Sequence, residues 1–520
     1  MSALHFKYRT IIKEEACPPY PRTSPRSTSS SATSSPIAMP RPRLPSPAKR
    51  ATPPTQPPPV RKPWPHSRKR PTTTSAAPRP AKLLERLQQA AVAGELDETR
   101  AAEVRVLTRD RADAVDVPAD VAADFACLAS EAQAVWTRAK VANDWDSFAP
   151  FLDRLVTARR EMALMRAPEK DPYETLLDEY EHGSSRAFYD AFFSEVKDCV
   201  IPLVAEIRKR GWQPSRACVE GHFDHDTQME LSRDLLRIEG LDLDSMTFAE
   251  TEHPFSDSVS SRHTFIATHV YENDVMSNVF SMLHEGGHAI YEQNIDVAYD
   301  HGILNGGISS GVHESQSRFF ENYVGRSEAF APVLLEALRK RFPGRFDDVT
   351  PHELYLAVNR AVPSLVRTEA DELTYSLHIV IRYEIEQLLI AGEATAAGVP
   401  ALWNERYRNY LGIDVPTNTL GCLQDVHWSC GDFGYFPTYA LGGAYGAQLL
   451  DAMRAGGIDF EGSVGAGDLA PIRDWLRERI WRHGRAIEPM PLIEAACGGK
   501  FDASHYTRYL TEKFSGIYDL

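Results

Sequence analysis

The sequence has few cysteines, no long apolar run and little strand-like alternation. Its seven cysteines in 520 residues include no C-x-x-C pair, which is typical of a reducing compartment and argues against a disulfide scaffold. The sequence contains no run of about eighteen apolar residues that would predict a membrane span, and no apolar N-terminal segment that resembles a secretory signal. The formal charge of −15 argues against nucleic acid as the main partner. We therefore expect a cytoplasmic protein that binds neither membranes nor nucleic acid.

The acidic total conceals a basic N-terminal tract. Residues 1–80 contain 15 Lys and Arg against two Glu, and 19 of the 36 prolines. This local charge of +13 leaves −28 for the remainder. Such a composition does not bury enough apolar surface to offset the entropy cost of ordering, so we expect a disordered extension. Organelle import by this tract and binding of acidic partners are the alternatives.

After residue 80 the apolar pattern predicts helices. The stretch 354–392 reads as helical throughout, and HTFIATHVY at 263–271 is the best candidate for a strand. At 43% hydrophobic residues the chain can bury a large core, so we expect a mainly α domain over residues 81–520. Apolar residues recur at three- and four-residue spacing in 81–94, 121–143, 148–165 and 188–211.

The segment FSMLHEGGHAIYEQ contains two histidines four residues apart. Positions i and i+4 lie on one helix face, so His284 and His288 can point at one ion. Neutral imidazole suits Zn²⁺, which in catalytic sites takes three protein ligands and leaves one position for water. Glu285 would accept a proton as that water attacks a peptide carbonyl. The alternative is a surface helix whose histidines face water, but the apolar flanks at Val279 and Leu283 favour a buried helix.

A third ligand has to come from elsewhere, because Tyr291 and Asn294 occupy the positions of Gly and His in the metzincin motif. Glu314 in GVHESQ is a usual completion of such a site, although an ordinary solvated glutamate is the alternative. Adjacent helix positions differ by about 100°, so we expect His313 in the substrate wall or outside the ligand shell. The intervening DHGILNGGISSG fits either a mobile loop or a turn between packed helices.

Five further motifs occur in order around this site, and together they resemble the carboxypeptidase Taq family of metallocarboxypeptidases from about residue 130 onward. The resemblance implies a mostly helical, saddle-shaped fold that is split by a deep groove and similar in plan to neurolysin, with a small sheet beside the active site. It also implies a catalytic core at about 250–445, homodimers, and release of single amino acids from peptide C-termini with broad specificity. The motifs are HPF at 253–255, SSRHT at 260–264, HESQ at 313–316, VRTEAD at 366–371 and GCLQDVHW at 421–428, followed by GYFPTYALG.

The resemblance also assigns roles to residues of the metal site. It implies one zinc ion, or cobalt, held by His284, His288 and Glu314, with Glu285 as the general base. It matches Arg367 to the arginine that binds the terminal carboxylate of the substrate, a task that suits a guanidinium because its planar fork makes bidentate bonds.

Other matched residues belong to substrate binding. We expect Asp371, four residues after Arg367, to orient it on a helix face, the alternative being a surface pair of small energetic value. Arg262 is a second candidate for the carboxylate, and Ser260 replaces the aspartate that the family carries beside it.

The developing oxyanion also needs donors. Tyr439 matches the hydroxyl that stabilises the tetrahedral intermediate, Tyr435 is the fallback, and His253 and His427 would line the cleft. Either tyrosine can instead be a packed core aromatic.

Two alternatives to a single-residue carboxypeptidase follow from the same residues. An endo-oligopeptidase or dipeptidyl carboxypeptidase would have the same zinc site, and a non-catalytic homologue would bind peptides without cleaving them. The W-D-x-x-T-x-M-P segment that begins family members is missing, which predicts a more open site, a weaker fold or an incorrectly assigned N-terminus.

Overall fold

The structure is a computed structural model that describes residues 78–251 and 253–520. The predicted disordered extension, residues 1–80, lies outside the described residues except for 78–80, which begin the first helix. The helices in chain order are α1 Pro78–Val92, α2 Glu98–Val115, α3 Ala119–Ala142, α4 Trp145–Arg166, α5 Pro172–Asp178, α6 Arg186–Arg210, α7 His225–Glu239, α8 Val275–Gln293, α9 Ser310–Arg318, α10 Ala331–Arg341, α11 Pro351–Val358, α12 Glu372–Ala391, α13 Val399–Arg406, α14 His427–Cys430, α15 Pro437–Ala455, α16 Phe460–Gly465, α17 Ala470–Arg479, α18 Pro489–Cys497 and α19 Ser504–Tyr518.

Shorter turns extend or separate these helices. A π-helical turn, Phe319–Gly325, continues α9, and a second one, Tyr407–Leu411, continues α13. None of the described helices is both long and apolar enough to cross a membrane. Single 3₁₀ turns lie at Ala217–Val219, Leu243–Ser245, Val297–Tyr299, Arg367–Glu369, Ala396–Gly398 and Trp481–His483.

The prediction of a mainly α fold is confirmed, but the prediction of a continuous helical stretch over 354–392 was wrong. Helix α11 ends at Val358, and α12 begins only at Glu372. Pro363 lies between them and cannot donate a helical hydrogen bond. Asp371 then starts α12 as its N-cap, because its side chain accepts from the backbone N–H of Thr374.

A three-stranded sheet lies beside α8, as predicted. Its strands are β1 Met246–Glu250, β2 Phe255–Ser260 and β3 His263–Thr268, in the order β1-β3-β2. Strand β3 is parallel to β1 and antiparallel to β2, with Thr264 opposite Ser258. The strand prediction at 263–271 is confirmed for β3, whereas β1 and β2 had no prediction. Gln293 at the end of α8 donates to the Thr264 hydroxyl at 3.1 Å, which ties the sheet to this helix.

Helix α8 is buried on almost every face, in one hydrophobic core that extends from Leu128 to Tyr518. Its N-cap, Asp274, accepts from the backbone N–H of Ser277. Helix α9 packs between α8 and α15, and glycines permit this close approach. A Cβ at Gly287 would lie 2.5 Å from the carbonyl oxygen of Gln316 on α9.

Candidate active site

Two imidazoles and one carboxylate converge between α8 and α9. His284 Nε2 lies 3.7 Å from Glu314 Oε2, and His288 Nε2 lies 3.5 Å from the same oxygen. One candidate ligand atom from each of the three residues lies within 4.8 Å of the others. Tetrahedral zinc with bonds of about 2.0–2.2 Å separates its ligand atoms by about 3.3–3.6 Å. The 3.5 Å distance lies within this range, and the 3.7 Å distance lies just above it. The three predicted ligands therefore form a set suited to a divalent metal.

Small residues on the neighbouring helices bring these donors together. A side chain at Gly287 would collide with the backbone of α9, and a Cβ at Gly442 on α15 would lie 2.7 Å from the Cβ of Glu314. Glu314 is thus held between α8 and α15 with 5% of its surface exposed. The two glycines of His-Glu-Gly-Gly-His serve packing, since Gly286 leaves room for the side chain of Glu239.

The first histidine is oriented by a carboxylate that the sequence analysis did not assign. His284 Nδ1 lies 2.9 Å from Glu321 Oε2, which directs the Nδ1–H to Glu321 and leaves Nε2 for a metal. Arg318 joins the two carboxylates, donating to Glu314 Oε1 at 2.8 Å and to Glu321 Oε2 at 3.0 Å. Residues 314, 318 and 321 follow one helix face, which the π-helical turn extends.

A second chain of hydrogen bonds orients His288. Its Nδ1 lies 2.6 Å from Nδ1 of His313, and His313 Nε2 lies 2.9 Å from Glu292 Oε1. The consistent assignment is that His288 donates to His313, and His313 donates to Glu292. Ser258 on β2 donates to Glu292 at 2.6 Å, and the backbone N–H of Gly307 donates to it at 3.0 Å. His313 therefore lies behind His288, outside the candidate ligand set.

Burial and neighbouring charges set the protonation of this group. Burial lowers the pKa of His288 to about 3, so its imidazole is neutral, as a metal ligand must be. Burial alone would lower the pKa of His284, but Glu314 and Glu321 outweigh it and raise that pKa. Burial opposes ionisation of Glu321, yet Arg318 and His284 lower its pKa to about 2. Glu285, the candidate base, is buried on the same helix with 7% of its surface exposed.

Arg367 lies in a buried site with a different carboxylate partner from the one expected. Its Nε donates to Asp425 Oδ1 at 3.0 Å, and its Nη1 donates to the Tyr375 hydroxyl at 3.0 Å. Asp371 does not orient Arg367, so that prediction was wrong. The Asp371 carboxylate instead accepts from Thr374 as the N-cap of α12.

Asp425 holds two arginines at once. Arg382, which is fully buried, approaches Asp425 Oδ2 to 2.7 Å, while Arg367 Nη2 is 3.0 Å from Oδ1. Burial would raise the pKa of Asp425, but the two guanidinium groups outweigh it and lower that pKa. The three side chains together carry one net positive charge, which suits a site for an anion.

Tyr439 adjoins this arginine. The guanidinium of Arg367 lies 4.8 Å from the centre of the Tyr439 ring, and the Tyr439 hydroxyl lies 3.1 Å from His427 Nε2. Tyr435 packs edge-on against Tyr439 at 5.1 Å between ring centres and stacks on His427 at 5.5 Å. The structure thus brings Arg367, Tyr439 and His427 into one cluster.

A sequence model of the carboxypeptidase Taq (M32) metallopeptidases matches residues 68–514. The chain belongs to this family. It is therefore a peptide hydrolase of the metallocarboxypeptidase class, and the resemblance predicted from the motifs is confirmed. Membership also implies a divalent metal, for which the His284, His288 and Glu314 set is the candidate site.

Relatives of this M32 chain cover most of its length. Carboxypeptidase 1 of Bacillus subtilis (strain 168) is 38% identical over 395 residues, which are 76% of this chain and 79% of the relative. Thermostable carboxypeptidase 1 of Thermus thermophilus is 35% identical over 411 residues, 77% and 80% of the two chains. The crystal structure of the M32 carboxypeptidase from Deinococcus radiodurans R1 has a TM-score of 0.82 at 33% identity and covers 86% of this chain and 90% of that one.

Two predicted substrate residues of the M32 chain lie on connections of the three-stranded sheet. Arg262 is exposed at the turn between β2 and β3 and lines a surface cavity of about 500 Å³ with Gln293 and Asn294. His253 is exposed in the connection between β1 and β2, where its carbonyl oxygen accepts from the Thr251 hydroxyl at 2.6 Å. Among the described residues, neither side chain makes a hydrogen bond or an ion pair with the metal ligands or with Arg367.

Sequence reasoning missed six residues of the site. The spacing of Glu314, Arg318 and Glu321 at i, i+4 and i+7 on one helix was an available signal for two of them. Asp425 lies within the quoted motif GCLQDVHW but had no role assigned. The missed residues are Glu292, Arg318, Glu321, Tyr375, Arg382 and Asp425.

Proposed function

We propose that this chain is a zinc carboxypeptidase that releases single amino acids from peptide C-termini with broad specificity. The observation that carries the proposal is the hydrogen bonding of the buried Arg367. Of its five N–H groups, one on Nε and one on Nη2 face Asp425, and one on Nη1 is bonded to Tyr375. Among the described residues, no partner takes the remaining N–H on each terminal nitrogen, and these two N–H groups match the two oxygens of a terminal carboxylate.

Arg367, the proposed carboxylate clamp, is linked to the metal ligands through a short series of contacts. Tyr375, which accepts from Arg367, has the guanidinium of Arg318 at 4.0 Å from its ring centre. Arg318 in turn binds the candidate ligand Glu314. A single tyrosine thus separates the carboxylate clamp from the metal side, a short span that favours cleavage next to the last residue.

The proposed mechanism divides the chemistry among four groups. Zinc, when bound by His284, His288 and Glu314, supplies Lewis acidity toward a carbonyl oxygen and toward water. Glu285 takes the proton from the attacking water and delivers it to the leaving amine. The Tyr439 hydroxyl donates to the developing oxyanion, and Arg367 holds the terminal carboxylate in register.

The test uses purified protein and a blocked tripeptide, N-acyl-Ala-Ala-Arg, with products identified by mass spectrometry. Wild type is compared with Glu285→Gln, each after chelation and after addition of Zn²⁺ or Co²⁺. We expect release of free arginine that is abolished by chelation, restored by metal and lost in Glu285→Gln. Dipeptide release or internal cleavage would replace the proposal with a dipeptidyl carboxypeptidase or an endo-oligopeptidase. Stoichiometric metal without any cleavage would favour a peptide-binding homologue.

We further propose one zinc ion per chain, a homodimer and a groove-split saddle shape on the strength of the family resemblance, and a cytoplasmic location on the strength of the cysteine usage. Elemental analysis of the purified protein tests the metal and its stoichiometry. Light scattering coupled to size-exclusion chromatography tests the dimer, and cell fractionation tests the location. Small-angle scattering tests the shape.

His253 and His427 remain proposed lining residues of the cleft, and Arg262 remains a proposed second binding residue for the terminal carboxylate. Alanine substitutions that alter KM for tripeptides would support this role for each.

A further inference from the structure

The hydroxyl of Tyr375 can donate a hydrogen bond for which no described residue provides an acceptor. It accepts from Arg367 Nη1 at 3.0 Å, and a phenol offers one donor beside its two acceptor positions. Across residues 78–251 and 253–520, no acceptor is found for its own O–H. Only 8% of the surface of Tyr375 is exposed, so a ligand rather than bulk solvent is the natural acceptor for this O–H.

The ring of Tyr375 is held in a defined position. The Arg318 guanidinium lies over its face at 4.0 Å from the ring centre, and Arg318 is itself fixed by Glu314 and Glu321. Tyr375 projects from α12, whose first turn is capped by Asp371. Its hydroxyl is therefore fixed beside Arg367 before any substrate arrives.

A carboxylate can use more donors than Arg367 alone provides. Its two oxygens have about four lone-pair positions, and the remaining N–H groups of Arg367 fill two of them. The net positive charge of Arg367, Arg382 and Asp425 attracts the anion to this place. The adjacent hydroxyl can then fill a third position.

We propose that Tyr375 is a second donor for the terminal carboxylate of the substrate: its hydroxyl accepts from Arg367 and donates its own proton to the same carboxylate. The inference rests on the proposed role of Arg367. It makes Tyr375 a specificity-determining residue, because a hydrogen bond to a charged acceptor is stronger than one to a neutral carboxamide.

The test compares wild type and Tyr375→Phe in the full-length, metal-loaded protein. Phenylalanine keeps the ring beneath Arg318 and removes only the hydroxyl. Steady-state KM and kcat are measured for N-acyl-Ala-Ala-Arg and for its C-terminal carboxamide. We expect KM for the free acid to rise about 10-fold or more, with a smaller change in kcat and a reduced preference over the carboxamide.

A matched control removes a nearby hydroxyl that does not face Arg367. Tyr506 pairs with the hydroxyl of Ser376, the residue after Tyr375, at 2.7 Å between oxygens. We expect Tyr506→Phe to leave the KM for the free acid unchanged. Thermal unfolding of each variant verifies that it is folded.

A double-mutant cycle separates direct donation from support of Arg367. Tyr375→Phe is introduced into Arg367→Gln, and a further rise in KM for the free acid is expected. No further rise would mean that Tyr375 acts only through Arg367, which overturns the inference. A wild-type-like KM in Tyr375→Phe overturns it too, while the proposed clamp stands if Arg367→Gln still loses the preference for free acids. A wild type without that preference would instead refute the clamp itself.

Discussion

The hydrogen bond between His284 and Glu321 offers a quantitative test of the metal centre. Glu321→Gln keeps the shape of the side chain but removes the charge that His284 Nδ1 contacts at 2.9 Å and Arg318 contacts at 3.0 Å. Loss of such an outer partner of a ligating histidine typically weakens metal binding roughly 10- to 100-fold, or about 1.4–2.7 kcal/mol. Because the Glu321 side chain is only 12% exposed, water does not replace the lost charge effectively. We expect the Kd for Zn²⁺ to rise by a factor in this range.

The assay titrates metal-free protein with Zn²⁺ in competition with a chromophoric chelator. At saturating zinc the variant should retain most of its peptidase activity, since Glu321 is neither a ligand nor the base. Glu328→Gln is the matched control, because Glu328 contacts His352 Nδ1 at 2.9 Å in an exposed pair. That control should bind zinc as wild type does. An unchanged Kd in a folded Glu321→Gln variant would refute the orienting role of Glu321.

Two further predictions concern packing and pH. Gly287→Ala places a methyl group 2.5 Å from the carbonyl oxygen of Gln316, so it should lower the free energy of unfolding by about 1–3 kcal/mol and weaken zinc binding, as measured by calorimetry. In the control Gly516→Ala, where no atom lies within 4 Å, stability and zinc affinity should both stay unchanged. Equal zinc affinities of the two variants would contradict the argument. Burial raises the pKa of Glu181 to about 7 from 4.5, so its contribution to stability is complete below about pH 4.5 and is lost as the pH rises through about 7. Urea unfolding of chelated protein between about pH 5 and pH 8 should therefore weaken more steeply with pH for wild type than for Glu181→Gln, and parallel pH profiles would contradict this.

The metal donors could be predicted from the sequence because each is part of a local pattern. His284 and His288 are one helical turn apart, and their apolar flanks identify a buried helix. Glu314 follows on the next long helix within a recognisable motif. The small residues that allow α8 and α9 to touch were visible as glycines, but what they touch depends on tertiary packing. Spacing alone does not supply the 2.5 Å constraint at Gly287.

The surroundings of Arg367 could not be predicted by the same reasoning. The i, i+4 rule pairs Arg367 with Asp371 only if both lie on one helix, but Arg367 lies in the 3₁₀ turn Arg367–Glu369 and Asp371 is the N-cap of α12. The true partner, Asp425, is 58 residues away in sequence. It is selected by the fold, because two buried guanidinium groups need a carboxylate between them. The residues near Arg367 in the sequence do not indicate such a pairing.

Charge explains why the two halves of the site are built from different residues and kept apart. On the metal side, Glu314 and Glu321 share the guanidinium of Arg318, and this trio carries a net charge of −1. Arg326 contributes a more distant guanidinium, with Nη2 at 3.5 Å from Glu321 Oε1. On the clamp side, the trio of Arg367, Arg382 and Asp425 carries +1. A divalent cation and a terminal carboxylate each complete the half of opposite sign. If the two trios met directly, Arg367 would bind the carboxylates of the metal side and lose the N–H groups that a substrate needs. Tyr375 stands between them, with its ring toward Arg318 and its hydroxyl toward Arg367, and a neutral aromatic residue there keeps both halves available for their ligands.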